Sequence, residues 1–595
     1  MLGKVDEKCS SDMASWSVER LCMVLHEFLQ GKRYNIVVDD VWEETVWKTI
    51  SCTLPDSSCG SKVIMTTRNS HVRAKTNVVV YNMKPLPHDK SKELFSKRTN
   101  ENGDNQLVDK IIDKCNGIPL AIIAIASLLA DRPLEDWQAV YDSLISGSEE
   151  DHTRTILLYS YYDLPASLRP CLLYLSMYPE DILIDKYTLI WRWIAEGFVQ
   201  PLKDRCGSLF EVGERYFNEL LNRSMIQPAE KGRAGIIDGC RVHDIVLDLI
   251  RDLGASSIIG EYRKKQVGLH GLERKVRRLF IQSSSEQSIP EGTIGMAKVV
   301  RSLHSINCSI DAPPLSSFQA CHVLVAECRI RDTPQLGKLL HLRYMELINT
   351  KYDWKDIPKE IENLKSLQTL VLSGISSNTH GQVLPSTVFG LMQLMCLVGE
   401  PSVPGGAEPW VAEVVDVLGK LTRLRVLRID FGGYLYDISM QSLKALIQSL
   451  NNLHEIRELD LYVGIYGSPV SAWESWKPPR KLWSLETNMG LHPQHMDPSQ
   501  FQHIRYLCLD VEEITEVDMG RLALLPELLY LTLQASSCTI DYWRWRIQES
   551  EGLCCEHIVQ GAMPMLESLR FTVRPGDDLD FNLAALLSLK EVILT

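Results

Sequence analysis

Residues Lys32–Trp42, KRYNIVVDDVW, decide how the front of this chain folds. Three β-branched residues, Ile36, Val37 and Val38, run straight into Asp39 and Asp40. A short apolar run ending in paired acids reads as a strand of a parallel sheet whose C-terminal tip presents carboxylates to a ligand. Where nucleoside triphosphates are bound, the first such acid holds Mg²⁺ beside the phosphates. Its usual companion is a phosphate-cradling loop of the form G-x-x-x-x-G-K-[ST].

On either side of this strand, the apolar spacing alternates between strand and helix up to about Leu253, as in an α/β unit followed by helices. LCMVLHEFL (Leu21–Leu29) reads as an amphipathic helix leading into the strand. SKVIMTTR (Ser61–Arg68) reads as a second strand and NVVVYNM (Asn77–Met83) as a third. Helices are expected over Asp89–Lys97, Leu107–Cys115 and Leu120–Leu129, and several more between Leu134 and Leu249.

From about Val276 the rhythm becomes L-x-x-L-x-L. It appears at Val276-Leu279-Ile281, Leu342-Met345-Leu347, Leu367-Leu370-Leu372, Leu424-Leu427-Ile429 and Ile456-Leu459-Leu461. It returns at Ile504-Leu507-Leu509, Leu528-Leu531-Leu533, Leu566-Leu569-Phe571 and Leu589-Val592-Leu594. With weaker matches at Val300-Leu303 and Leu394-Leu397, most starts lie 21 to 32 residues apart, a leucine-rich-repeat period. One such motif means little, because any amphipathic segment can produce it; nine in order predict a solenoid of stacked short strands. The apolar positions enter a shared core and the x positions line a concave, protein-binding surface. By this geometry Arg343, Gln368, Arg425, Arg428, Glu458 and Arg505 are candidate contact residues.

Composition bounds the function. A chain of 595 residues with a net charge of -13 is too long for one core and lacks the basic surface that nucleic acid or anionic membrane requires. Sixteen cysteines form no C-x-x-C pair, so free thiols in a reducing compartment are expected; Cys554-Cys555 with His557 is a minor metal candidate. MLGKVDEKCSSDM lacks the apolar core of a secretory signal, and the longest apolar run, Ile118–Ala130, is too short to span a bilayer. An intracellular protein is expected, cytoplasmic with the nucleus open.

Six segments in one order give the first two hundred and fifty residues a resemblance to the NB-ARC nucleotide-binding switch of plant disease-resistance receptors, coiled-coil class. YNIVVDDVW resembles the Walker B strand, GSKVIMTTR the strand after it and YNMKPLPHDKSKELF the linker into a helical subdomain. CNGIPLAI (Cys115–Ile122) resembles the G-L-P-L motif, with Ile118 in the leucine place. CLLYLSMYPED (Cys171–Asp181) resembles the winged-helix segment, and Val242-His243-Asp244 the M-H-D triplet, with Val242 for methionine. The resemblance implies a partial P-loop-type parallel sheet, then helical and winged-helix subdomains, then an α/β leucine-rich-repeat solenoid. The expected boundaries are 1–84, 85–150, 151–255 and 256–595.

The resemblance also implies ADP or ATP with Mg²⁺ as ligand and a switch rather than an enzyme. Asp39 would complete the Mg²⁺ shell and Asp40 orient a water; the plainer alternative is a pair of solvated turn acids. Arg68 would sense the γ-phosphate, Pro119 would pack on adenine, and His243 would donate to the β-phosphate of ADP. Read for structure alone, Asn116 caps the helix that Pro119 begins, Asp244 caps the next apolar helix, and Arg68 is a surface residue.

No G-x-x-x-x-G-K-[ST] occurs in the chain: Gly-Lys is followed by Val5, Arg33, Leu339 and Leu421. Only 38 residues precede Asp39, so the chain is expected to be truncated at its start, to grip phosphate poorly and to leave strand edges at Ile36–Val38 or Val63–Met65 open. The first hundred residues should then be less stable than the repeats. Two functions follow: an immune receptor whose repeats recognise a pathogen effector or a guarded host protein, or a nucleotide-independent repeat protein acting as regulator, decoy or degraded copy.

Overall fold

The computed structural model describes residues 17–39, 41, 43–55, 60–67, 79–99, 106–130, 132–145, 152–201, 208–229, 238–254, 277–282, 297–306, 315–327, 333–348, 359–373, 386–399, 414–415, 417–430, 439–462, 473–488, 491–493, 496–513, 516–537, 563–572 and 588–594. The chain divides into two compact units, Met1–Leu86 and Pro87–Thr595.

In the first unit, α1 (Val18–Leu29) is capped by Ser17, whose side chain accepts from the Arg20 N–H. It precedes β1 (Asn35–Val38), α2 (Glu44–Thr53) and β2 (Lys62–Met65). The strands pair in parallel, Asn35 against Lys62 through Val38 against Met65, with the helix between them serving as the crossover such pairing needs. Ile36 is buried, whereas Val37 and Ile64 are each 60% exposed. The expected third strand is not formed over its described part. Val79 to Met83 carry no strand pairing, and Val79, Tyr81 and Met83 stand exposed. An apolar run makes a strand only beside a strand that can take its backbone hydrogen bonds.

The second unit opens with α3 (His88–Thr99), α4 (Gln106–Lys114), α5 (Pro119–Ala130), α6 (Leu134–Ile145) and α7 (His152–Asp163). Helix α5, PLAIIAIASLLA, is apolar on every side, as a helix surrounded by others must be, and it packs between α3 and α7. A winged-helix body follows: α8 (Arg169–Tyr174), β3 (Ile184–Asp185), α9 (Lys186–Glu196), α10 (Leu209–Asn222), β4 (Gln227–Ala229), β5 (Gly239–Arg241) and α11 (Asp244–Gly254). Its three strands form an antiparallel sheet with β5 in the middle. Helices α9 and α10 cross closely because Gly213 has no side chain: a Cβ there would meet Ile190 Cγ2 at 2.5 Å. Helix α10 begins with a capping box in which Ser208 and Glu211 each bond the other's backbone N–H.

The rest is one parallel sheet of thirteen strands in chain order among the described residues. They are β6 (Arg278–Gln282), β7 (Ser302–Ile306), β8 (Val323–Ala326), β9 (Tyr344–Ile348), β10 (Thr369–Ser373), β11 (Cys396–Gly399) and β12 (Val426–Asp430). Then come β13 (Glu458–Tyr462), β14 (Ser484–Thr487), β15 (Tyr506–Glu513), β16 (Tyr530–Ser537), β17 (Ser568–Thr572) and β18 (Glu591–Leu594). All nine strong repeat motifs and both weaker ones place their second apolar residue on a strand. Two further strands, β8 and β14, carry Ala326 and Thr487 where the pattern asks for a large apolar residue.

Leu279, Leu303, Leu324, Met345, Leu370, Leu397, Leu427, Leu459, Leu485, Leu507, Leu531 and Leu569 stack in one continuous apolar core. Ahead of most strands a single carbonyl accepts two N–H groups from the next coil: Arg425 O accepts from Arg457 and Glu458, and Arg457 O from Trp483 and Ser484. A column of backbone bonds therefore runs from Arg277 to Lys590.

Candidate functional site

At the tip of β1 the Asp39 carboxylate accepts from the Thr66 hydroxyl. The tip is closed by Val41 N–H donating to Thr66 O at 2.9 Å and Thr66 N–H to Val38 O at 3.0 Å. Asp39 is exposed, and one hydroxyl leaves most of its lone pairs open to a hydrated cation. Asp40 and Arg68 lie outside the described residues, as does the Cys554–His557 cluster.

Pro119 and His243 belong to the second unit, and Asp39 to the first. Pro119 is the exposed first residue of α5, where its missing N–H costs nothing. The expected cap at Asn116 is corrected: the carbonyl taking the first helical bond, from Ile122 N–H, is that of Ile118. Asn116 (φ 50°) and Gly117 (φ 67°) instead form a left-handed corner after α4, a conformation that asparagine and glycine tolerate best.

His243 stands half-buried just before α11. Ile245 N–H donates to its Nδ1 at 3.3 Å, so Nδ1 is the acceptor and the neutral ring carries its proton on Nε2, a donor. Helix α7 packs against both α5, which Pro119 begins, and α11, which follows His243. The motif G-x-x-x-x-G-K-[ST] does not occur in the 595 residues.

A second assembly lies where the winged helix meets the open face of the repeat sheet. Helix α9 buries two charges in an otherwise apolar stretch, Arg192 and Glu196. Arg192 Nη2 donates to Glu346 Oε2 of β9 at 2.7 Å, and Nη1 to the Tyr178 hydroxyl at 2.6 Å. Tyr344 donates to the same Glu346 oxygen at 2.6 Å. Burial works against the Arg192 charge, and the surrounding Tyr178, Tyr344 and Glu346 outweigh it. Glu196 accepts from Ser302 of β7 and faces Arg278 at 3.7 Å. The Tyr174 hydroxyl meets His304 Nε2 at 3.2 Å. Further along, Glu211 of α10 accepts from Arg457 at 2.5 Å.

This junction reassigns most of the repeat residues expected to face a partner. Arg343 donates to Ala195 O of α9 at 3.4 Å, Glu458 is 2% exposed, and Arg428 pairs with Glu458 and with Asp460 at 3.0 Å. Gln368 and Arg425 are half-buried, and only Arg505 of the six is exposed. Burial pushes the Cys115, Cys240 and Cys321 thiols up to about 12, which keeps those three in the unreactive protonated form.

Fold and sites together define a leucine-rich-repeat protein whose repeats are clasped by a winged-helix body. Family models match at residues 2–105 (NB-ARC domain), 177–250 (disease resistance protein winged helix domain) and 299–595 (leucine-rich repeat region). The chain is similar to rice (Oryza sativa subsp. japonica) disease resistance protein Pik-2, 31% identical over 63% of this chain and 38% of that protein. It is also similar to tomato (Solanum lycopersicum) ToMV resistant protein Tm-2 netted virescent, 30% identical over 87% of this chain and 61% of that one. The chain thus spans less than two thirds of the length of these relatives. Among solved structures an internalin (inlF) from Listeria monocytogenes aligns with 53% of this chain and 86% of its own, at 13% identity and a TM-score of 0.33. The chain belongs to the plant NB-ARC leucine-rich-repeat disease resistance proteins. That family binds nucleotide through its NB-ARC domain, and it is a family of receptors rather than of classical enzymes.

Proposed function

We propose that the chain acts as an immune receptor of the plant cell interior, cytoplasmic with nuclear entry open, in which the repeats recognise a protein and the front half is an impaired adenine-nucleotide switch. The observation that carries this reading is the order of nucleotide-binding, winged-helix and repeat regions in one polypeptide. No helix among the described residues is long and apolar enough to cross a membrane. The recognised partner is a pathogen effector or a guarded host protein, and no catalytic residue is assigned. Residues 1–84, 85–150, 151–255 and 256–595 serve as the working subdomains.

A bound ADP or ATP supplies a flat base and an anionic tail with its Mg²⁺. Toward that ligand Pro119 would pack on the base, and His243 Nε2–H would donate to the β-phosphate. Asp39 would hold the hydrated cation, with Asp40 beside it and Arg68 toward the γ-phosphate. Without a phosphate loop among these residues the grip is weaker than the full set of contacts would give.

Calorimetric titration with ADP and Mg²⁺ tests the switch. A sub-micromolar heat that disappears in His243→Ala supports it. A flat titration favours the second reading, a nucleotide-independent repeat protein serving as regulator, decoy or degraded copy, for which the missing phosphate loop speaks.

A further inference from the structure

Between α9, α10 and strands β12–β15 lies an open cleft of about 970 Å³. Its repeat-side wall is a comb of residues that each precede a strand. Arg425, Arg457, Trp483 and Arg505 sit on four consecutive rungs, in register because Val426, Glu458, Ser484 and Tyr506 pair in sequence. Neighbouring rungs of a sheet are about 4.8 Å apart, close enough for adjacent cations to feel each other. Burial first, and the neighbouring Arg457 second, push the Arg425 guanidinium down.

Two donors in this comb are left over. Arg425 Nη1 and Arg457 Nε are buried and have no hydrogen-bond partner among the described residues, a costly state for a charged group. The partners they do have are carboxylates. Arg457 Nη2 holds Glu211 of α10, and Arg425 stands 3.9 Å from Glu455. Beside them Tyr187 stacks on Trp483 at 6.3 Å between ring centres, and Trp483 meets Tyr506 edge-on at 5.2 Å.

We infer that this cleft is a docking site for an extended acidic segment of a partner protein, whose carboxylates bind Arg425 and Arg457 while apolar side chains lie against Trp483 and Tyr506. Glu211 is the internal occupant of the same site. The cleft also holds acids of its own, Glu214, Glu455, Glu458 and Glu527, the last 3.2 Å from Arg505, in a chain of net charge -13. Those acids repel a dense polyanion, whereas isolated carboxylates spaced by uncharged residues pass between them. An incoming segment displaces Glu211 from Arg457 and so frees α10 from the repeats. The inference deepens the recognition role proposed above and rests on it.

The test is fluorescence anisotropy of a labelled peptide of alternating Glu and Tyr, titrated with the 595-residue chain near physiological salt. Saturable binding is expected, weakened about tenfold in Arg425→Gln/Arg457→Gln. It should tighten about threefold in Glu211→Gln, which keeps the capping box but gives up the carboxylate that competes for Arg457. Because the two changes act in opposite directions, a folding defect in the first variant does not decide the outcome. Absence of saturable binding overturns the inference, as does binding indifferent to both changes. Inorganic polyphosphate binding through the same arginines where the peptide does not also overturns it. Neither arginine is among the residues proposed for nucleotide. A flat peptide titration beside an ADP heat therefore sinks the cleft alone, and the converse sinks the nucleotide reading alone.

Discussion

The Arg192–Glu346 pair shows how single residues hold this molecule together. Its partners are 154 residues apart and both buried, so removing one strands the other without water. Glu346→Leu should cost about 3–5 kcal/mol of the stability read from denaturant unfolding, and Arg192→Met/Glu346→Leu should recover much of that loss. A double variant no more stable than the single would show the pair contributing more than mutual compensation.

The histidines of the same face respond to pH. Burial and then Arg192 hold the His304 imidazole well below its ordinary range. Burial and then Arg343, Arg301 and His341 bring His322 down to about 4. Both are neutral in the native protein, whereas an unfolded histidine takes up its proton near pH ~6.5. Their contribution is therefore intact above that value and is lost as pH falls toward 4, which urea midpoints measured stepwise from pH 7 to pH 4 should record as a decline. None of this was legible beforehand, because sequence distance hides which side chains meet.

At the scale of elements, legibility followed side-chain size. Where the third repeat position is Leu, Ile or Phe the strand was evident; where it is Ala326 or Thr487 the backbone makes the same strand without announcing it. Gly399 of β11 shows why small residues belong in some coils: a Cβ there would stand 3.2 Å from Leu372 Cβ. The run at Val79 to Met83 failed the other way, since strand-like composition found no neighbour. The α9–α10 crossing carries the matching prediction. Gly213→Ala adds helix propensity worth about 1 kcal/mol yet drives a methyl into Ile190, and a net loss of about 1–3 kcal/mol is expected in thermal unfolding. A gain in stability would mean that the crossing can open without penalty.

Across the whole molecule, the two compact units differ in how well they are covered. The repeats enclose the leucines of their strands, whereas Val37 and Ile64 on the strands of the first unit, with Tyr81 and Met83, stand exposed. Limited proteolysis should cut within the first hundred residues well before it reaches the strands of the repeat stack. Uniform cutting would contradict this. Of the nucleotide residues read from sequence, Asp39, Pro119 and His243 lie among the described residues, and Asp40 and Arg68 do not. The repeat face was harder to read, because recognising its strands says nothing of what already lies on them.

The column of doubly accepting carbonyls has one more consequence. Along this column every coil bonds only to the coil before it and the coil after it, so no bond in it depends on the total number. Whole coils can be gained or lost by unequal crossing-over while the survivors keep their shape. A gene built this way can revise the length of its repeat stack in a single generation.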